Sequence, residues 1–165
     1  MSNTDDLLAN ARRRPAPFDH GDFRSPPARK VVVVACMDAR VDPYRILGLA
    51  DGDAHILRNA GGIVTDDVIR SLVISQRLLG TEEIVLMHHT DCGMQRFSDD
   101  ELRRQIEEET GDEPPWVAGA FADLDADVRE SISRIVGSPF VPVKSSVRGF
   151  IYDVKTGSLR EVPPT

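Results

Sequence analysis

Cysteine is scarce in this chain, whose 165 residues include only Cys36 and Cys92. A disulfide scaffold needs more cysteines than this, so that class of small domain is excluded. The two residues are then either unrelated core thiols or ligands of one metal ion. Hydrophobic residues make up 41% of the chain and charged residues 28%, which is typical of a globular domain and excludes a disordered one.

Positive charge is also in deficit, because 20 Lys and Arg face 27 Asp and Glu for a net charge of −7. Such a surface repels phosphate backbones and anionic lipid, which disfavours nucleic-acid and membrane-surface functions. No apolar run approaches the ~20 residues of a membrane span. The segment Met1–Asp6 lacks the basic and apolar regions of a secretory signal, so we expect a cytoplasmic protein.

Nucleotide-binding and serine-hydrolase motifs are missing as well. The sequence contains no phosphate-binding loop, dinucleotide glycine fingerprint or nucleophile elbow. Both of these chemistries are therefore set aside.

Strand and helix patterns alternate after residue 30, which predicts an α/β fold with a mostly parallel sheet flanked by helices. Residues 1–30 are predicted to be a separate arm with a short helix capped by Thr4 or a neighbour, and residues 31–165 to be one domain. Prolines at positions 15, 17, 26 and 27 should prevent regular structure in the rest of the arm. The predicted elements are strands at Val31–Ala35, Ala54–Leu57 and Glu83–His88, helices at Pro43–Leu49, Asp66–Leu79, Asp99–Thr110 and Leu124–Val136, and a hairpin of Val147–Val154 with Leu159–Val162.

The strand order predicts where a ligand binds. A helix leads from the first strand to the second, and a long helix capped by Thr65 returns the chain to the far side of the first strand, giving the order 2-1-3. The carboxyl ends of strands one and three then flank a topological switch point, where open α/β sheets place ligands. Cys36 ends strand one, and His89 and Cys92 follow strand three.

These three residues are candidate zinc ligands. Two thiolates and an imidazole favour zinc over magnesium or calcium. The chain has no third cysteine, and His88 should point to the opposite face of its strand from His89. Three protein ligands leave one position for water or substrate, as in a catalytic zinc site.

Two charged side chains lie close to the first candidate ligand. Asp38 is two residues from Cys36, near enough to contact the zinc ion or its water, and Arg40 can hold that carboxylate in a bidentate ion pair. Gly61 and Gly62 are candidates for a loop that lets the backbone approach the substrate, although an ordinary turn is an alternative interpretation.

Three motifs in order along the chain carry a family resemblance: Cys36–Arg40, Arg58–Gly61 and His89–Gly93. This set resembles the β-class carbonic anhydrases, in particular their smaller bacterial and archaeal branch, over about residues 31–94. The resemblance implies one zinc ion per chain, a dyad of Asp38 and Arg40 beside it, and a closed state in which Asp38 becomes the fourth ligand. It also implies a homodimer or dimer of dimers in which the N-terminal arm wraps the partner.

The implied activity is the reversible hydration of carbon dioxide to bicarbonate and a proton by zinc-bound hydroxide. Two thiolates cancel the charge of the zinc ion, so the hydroxide form should be favoured on the alkaline side. The Trp-Arg-Tyr set that binds regulatory bicarbonate in some family members is not found, so the resemblance does not extend to that form of regulation.

Three alternatives stay open at this point. One is hydrolysis of carbon disulfide or carbonyl sulfide on the same fold, since some relatives use a similar zinc site. Another is a zinc-binding regulatory module without turnover, against which the Asp38–Arg40 pair argues. Redox sensing through Cys36 and Cys92 is the weakest, because loss of zinc on oxidation would be a vulnerability.

Overall fold

The fold is a five-stranded sheet with helices on its faces, described by a computed structural model for residues 2–13 and 19–163. Two of the four prolines of the arm, at positions 15 and 17, lie outside the described residues. Within the described ranges, no helix combines the length and apolar character needed to cross a bilayer. The strands are β1 (Val31–Cys36), β2 (Ala54–Asn59), β3 (Glu83–His89), β4 (Val147–Tyr152) and β5 (Leu159–Val162), and the helices of more than one turn are α1 (Asn3–Arg13), α2 (Pro43–Leu47), α3 (Asp66–Arg77), α4 (Asp99–Thr110) and α5 (Leu124–Gly137).

The strand order is β2-β1-β3-β4-β5, which confirms the predicted 2-1-3 arrangement and places the further strands beside β3. The first four strands are parallel, and β5 runs antiparallel to β4 as the predicted hairpin. Strand β1 is central and buried on both faces, as its β-branched run indicated. In the β1–β3 register Ala35 pairs with Met87, so the residues that follow them meet at one edge.

The core has two layers, one on each face of the sheet. On one face, apolar side chains of the strands pack against α3 and α5, and fully buried members include Leu72, Ile84 and Ile135. On the other face, Val33 and Met87 pack with residues of α2 and the turn after it. Both layers hold the central strands rigid, and the site lies at the strand ends.

Several helix ends differ from the predictions by a few residues. Helix α2 stops at Leu47 instead of Leu49, because Gly48 adopts a left-handed conformation and its N–H bonds to the Tyr44 carbonyl. Helix α3 ends at Arg77 with Leu78 as its C-cap, two residues earlier than predicted. The predicted caps of α3 and α4 by Thr65 and Ser98 are present.

The arm contains more regular structure than its prolines suggested. A turn of 3-10 helix forms at Asp19–Asp22. Helix α1 begins one residue before Thr4, and its cap is Ser2. The Ser2 hydroxyl accepts a hydrogen bond from the Asp5 N–H at 3.2 Å, and the backbone N–H of Ser2 donates to the Asp5 carboxylate at 2.9 Å. No residue of α1 is buried within the described part of the chain.

Candidate metal centre

The side chains of Cys36, His89 and Cys92 meet at the carboxyl ends of β1 and β3. One potential ligand atom from each lies within 4.8 Å of those of the other two, and the two sulfur atoms are 4.0 Å apart. All three residues are buried, with His89 fully so. The structure therefore brings together the three predicted ligands, while their role as ligands stays a prediction.

The hydrogen bonding of His89 suits metal binding. Its Nδ1 lies 2.9 Å from the carbonyl oxygen of Thr90, and since a carbonyl only accepts, Nδ1 carries the hydrogen. Nε2 then presents a lone pair, and this buried atom has no hydrogen-bond partner. A buried imidazole nitrogen without a partner costs free energy unless it binds something, and metal-ligating histidines are commonly oriented by such a carbonyl.

The two buried thiols also fit a cation. A hydrogen bond with Cys92, assisted by the backbone N–H groups of Asp38 and Gly61, lowers the pKa of the Cys36 thiol despite its burial. The same sulfur contact and burial raise the pKa of Cys92, because a second negative charge beside the first is unfavourable. A divalent cation between the sulfur atoms would stabilise both thiolates at once.

Asp38 lies beside this group but is held by Arg40. The Arg40 Nε donates to Asp38 Oδ1 at 3.0 Å, its Nη2 donates to Asp38 Oδ2 at 2.8 Å, and its backbone N–H donates to Oδ1 at 2.9 Å. These contacts with Arg40 hold the pKa of the Asp38 carboxyl well below its usual range. Asp38 Oδ2 is 3.9 Å from His89 Nε2, so the paired carboxylate still lies near the place where a metal ion would bind.

Arg58 has a role that the sequence analysis did not assign. Its Nε donates to the carbonyl of Cys36 at 3.0 Å and its Nη2 donates to the carbonyl of Asp38 at 2.7 Å. A side chain on β2 thus fixes the backbone of the loop that carries a candidate ligand and its neighbouring carboxylate. The signal was present, because Arg58 belongs to the second motif, but a residue that bonds only to carbonyls cannot be recognised from its type.

Gly61 and Gly62 pack against the end of β1. Both have positive φ angles, of 80° and 71°. A Cβ at Gly62 would lie 2.8 Å from the backbone nitrogen of Cys36, and one at Gly61 would crowd Met94 and Phe121. The two glycines therefore let this loop close over the cysteine, and their predicted contact with substrate stays a prediction.

Apolar side chains cover the thiols. Met94 packs with Cys36 and Cys92, and Ala60, Phe97 and Phe121 surround them. His88 lies on the opposite face of β3 from His89, as predicted, where its Nε2 is 2.5 Å from the Asp127 carboxylate of α5. The candidate centre is thus apolar on one side and charged, with Asp38 and Arg40, on the other.

Comparisons with known proteins agree on one family. The family model described as carbonic anhydrase matches residues 31–122. Beta-carbonic anhydrase 1 of Mycobacterium tuberculosis is 54% identical over 164 residues, which cover 99% of this chain and all of that protein. The crystal structure of carbonic anhydrase from Streptococcus mutans superposes with a TM-score of 0.88 at 43% identity, covering 99% of both chains. A carbon disulfide hydrolase of Saccharolobus solfataricus is 35% identical over 161 residues, covering 82% of this chain and 78% of that protein.

The parallel sheet, the buried cysteine–histidine group at its carboxyl edge and these similarities together define an α/β enzyme of the carbonic anhydrase class. The chain belongs to the β-carbonic anhydrases, which are zinc enzymes. This finding confirms the family that the three sequence motifs indicated.

Replacing Gly62 with alanine should disrupt the centre. The new methyl group would collide with the Cys36 and Ala35 backbone in a conformation that L residues rarely adopt, so we expect bound zinc to fall below half of the wild-type content. Gly137→Ala is the matched control, because a Cβ there meets nothing within 4 Å. Metal analysis of both variants gives the answer, and a fully loaded Gly62→Ala protein would contradict the packing argument.

Proposed function

We propose that this chain catalyses the reversible hydration of carbon dioxide to bicarbonate and a proton, with one zinc ion held by Cys36, His89 and Cys92. The observation that carries the proposal is the meeting of three buried ligand atoms, one of them an unpartnered imidazole nitrogen, next to a carboxylate. Two thiolates and an imidazole form a donor set that zinc prefers. A structural zinc site would use four such donors, and this group offers three.

A zinc ion held there would act as a Lewis acid, lowering the pKa of a water molecule and so making it a better nucleophile. Asp38 would accept a hydrogen bond from that nucleophile and orient its lone pair toward the carbon atom. Arg40 keeps Asp38 ionised across the working pH range, since it holds the pKa of this carboxyl low. The apolar cover of Ala60, Phe97 and Phe121 suits a small uncharged substrate.

Each of the three candidate ligands can be tested by substitution. Cys36→Ala, His89→Ala and Cys92→Ala should each lose zinc and activity together, because two remaining donors bind the ion much more weakly. Metal analysis and stopped-flow hydration assays on the same samples test this. As a control, His88→Gln should retain zinc, since this side chain bonds Asp127 on the opposite face of the sheet. A ligand variant that keeps its zinc would remove that residue from the proposed set.

Asp38 should affect turnover without affecting zinc binding, unlike the ligands. Asp38→Ala should keep its zinc and lose about 10- to 100-fold in turnover, the usual effect of removing a partner outside the ligand set. Wild-type activity should rise with pH from neutral to alkaline, because two thiolates neutralise the charge of the ion and make the bound water a weaker acid. Since Asp38 is ionised throughout this range, its own titration cannot produce that rise.

Stopped-flow rates of both proteins, measured from acid to alkaline pH, test these statements. Full activity of Asp38→Ala would exclude Asp38 from the mechanism. A flat wild-type profile would contradict the charge argument.

Carbon disulfide hydrolysis remains the alternative reaction, because the curated relatives include carbon disulfide hydrolases. We favour carbon dioxide because the 54% identical relative is named a carbonic anhydrase. Parallel assays of carbon dioxide hydration and sulfide release from carbon disulfide, on one zinc-loaded sample, distinguish the two reactions. A zinc-binding module without turnover would show metal and neither activity.

For the assembly, we propose a homodimer or dimer of dimers, with the arm of residues 1–30 as the contact. Helix α1 buries none of its residues, and Leu7 and Leu8 are 67% and 50% exposed. Neighbouring exposed leucines on a helix indicate a missing packing partner.

The thiols of Cys36 and Cys92 can bind zinc only while reduced, so we propose that the protein acts in the cytoplasm.

The double variant Leu7→Asp/Leu8→Asp should therefore weaken assembly, because charged side chains would enter the contact. Light scattering after size-exclusion chromatography measures the mass of the species, at several protein concentrations. Asp6→Asn, on the same helix, is the control and should assemble as the wild type does. An unchanged mass for the double variant would exclude α1 from the interface.

A further inference from the structure

Arg40 is shared between two carboxylates. Besides its contacts with Asp38, its Nη1 donates to Asp91 Oδ2 at 2.8 Å and its Nη2 donates to the Asp91 carbonyl oxygen at 2.9 Å. Asp38 follows β1 and Asp91 follows β3, so the guanidinium joins the loops that come after the two strands ending in Cys36 and His89. Four of the five N–H groups of a guanidinium are used in this way.

Asp91 is itself fixed from two directions. Its other carboxylate oxygen, Oδ1, accepts from Arg96 Nη2 at 2.8 Å. Its backbone has a φ of +55°, which is uncommon for residues other than glycine, asparagine and aspartate. The hydrogen bonds from Arg40 and Arg96 also lower the pKa of Asp91 to about 2. This residue lies between His89 and Cys92, and its conformation aims both its carbonyl and its carboxylate at Arg40.

The contacts of Asp91 restrict Arg40 more than they compete for its charge. Arg40 and Asp91 are each 45% exposed, so solvent screens the Coulombic competition between the two carboxylates. Solvent does not remove the geometric constraint, because a long side chain without Asp91 would regain several rotamers. Asp38 Oδ2 is only 3.9 Å from His89 Nε2, so a freed Asp38 would need little movement to reach a metal ion.

We propose that Asp91 is a positioning residue that holds Arg40, and through it Asp38, away from the fourth coordination position of the zinc ion. The inference rests on the proposed function, because it assigns a consequence to the metal site. It concerns the state of the site rather than the identity of its ligands. The hydrogen bonds of the Asp91 side chain go to Arg40 and Arg96, so we infer that Asp91 acts through Arg40.

The variant that tests this is Asp91→Gly, because glycine adopts a φ of +55° without strain and removes only the side-chain contacts. Asp91→Asn is the conservative partner, since asparagine tolerates the same backbone conformation and keeps an oxygen that can accept from Arg40. Thiocyanate is the probe, because it binds the metal only when Asp38 is off it. Its affinity is measured from the visible absorption of the cobalt-substituted proteins.

For Asp91→Gly we expect unchanged metal content and thiocyanate binding that is weaker by up to about 5-fold at neutral pH, because losing one partly exposed charge-assisted contact shifts the ratio of closed to open molecules by about that factor. The apparent affinity falls because a smaller fraction of molecules has an accessible metal. Asp91→Asn should recover most of the loss. In an Asp38→Ala background, Asp91→Gly should have no further effect, because no carboxylate remains to occupy the metal.

Unchanged or tighter thiocyanate binding by Asp91→Gly would overturn the proposal. The same weakening in the Asp38→Ala background would also overturn it, since the effect would then not pass through Asp38. Metal loss from both Asp91 variants would indicate a structural role instead. If the wild type binds metal and hydrates carbon dioxide while Asp91→Gly behaves like it, only this inference fails. A wild type that takes up neither zinc nor cobalt overturns the proposed function and this inference with it.

Discussion

The structure depends on keeping two sulfur atoms 4.0 Å apart in a buried site. Two thiolates at this distance repel one another, and burial makes the second negative charge harder to form. A positive ion between the sulfur atoms would remove both the repulsion and the cost of burying the second negative charge. The parallel pairing of β1 with β3 brings the two sulfur atoms together, because Cys36 and the loop that contains Cys92 then lie at the same end of the sheet.

The neighbouring contacts fix the loop that follows Cys36 and the loop that contains Cys92. Arg58 bonds to the backbone of the first loop, Gly62 lets a third loop close on Cys36, and Arg40 joins the first loop to the second through Asp38 and Asp91. These contacts hold the loops in place, whereas the two apolar layers of the core hold the strands.

The sequence predicted the strand order and the three candidate ligands because each depends on a local pattern: a β-branched run, a capped helix, a cysteine at a strand end. Helix ends were less accurate, because at α2 the left-handed Gly48 stops the helix two residues before its predicted end. The roles of Arg58 and Asp91 escaped prediction for a different reason. Their partners lie about 20 and 50 residues away, and such pairs become visible only when the sheet is formed.

The carbonyl of Thr90 has a consequence for how the protein acquires its ion. Because this contact within the chain fixes the ring orientation of His89, the direction of the Nε2 lone pair does not depend on an ion. Uptake of the ion then requires thiol deprotonation and an entry path, with little rearrangement of the chain. A site held by a sheet in this way differs from small zinc domains, in which the ion itself holds the fold together.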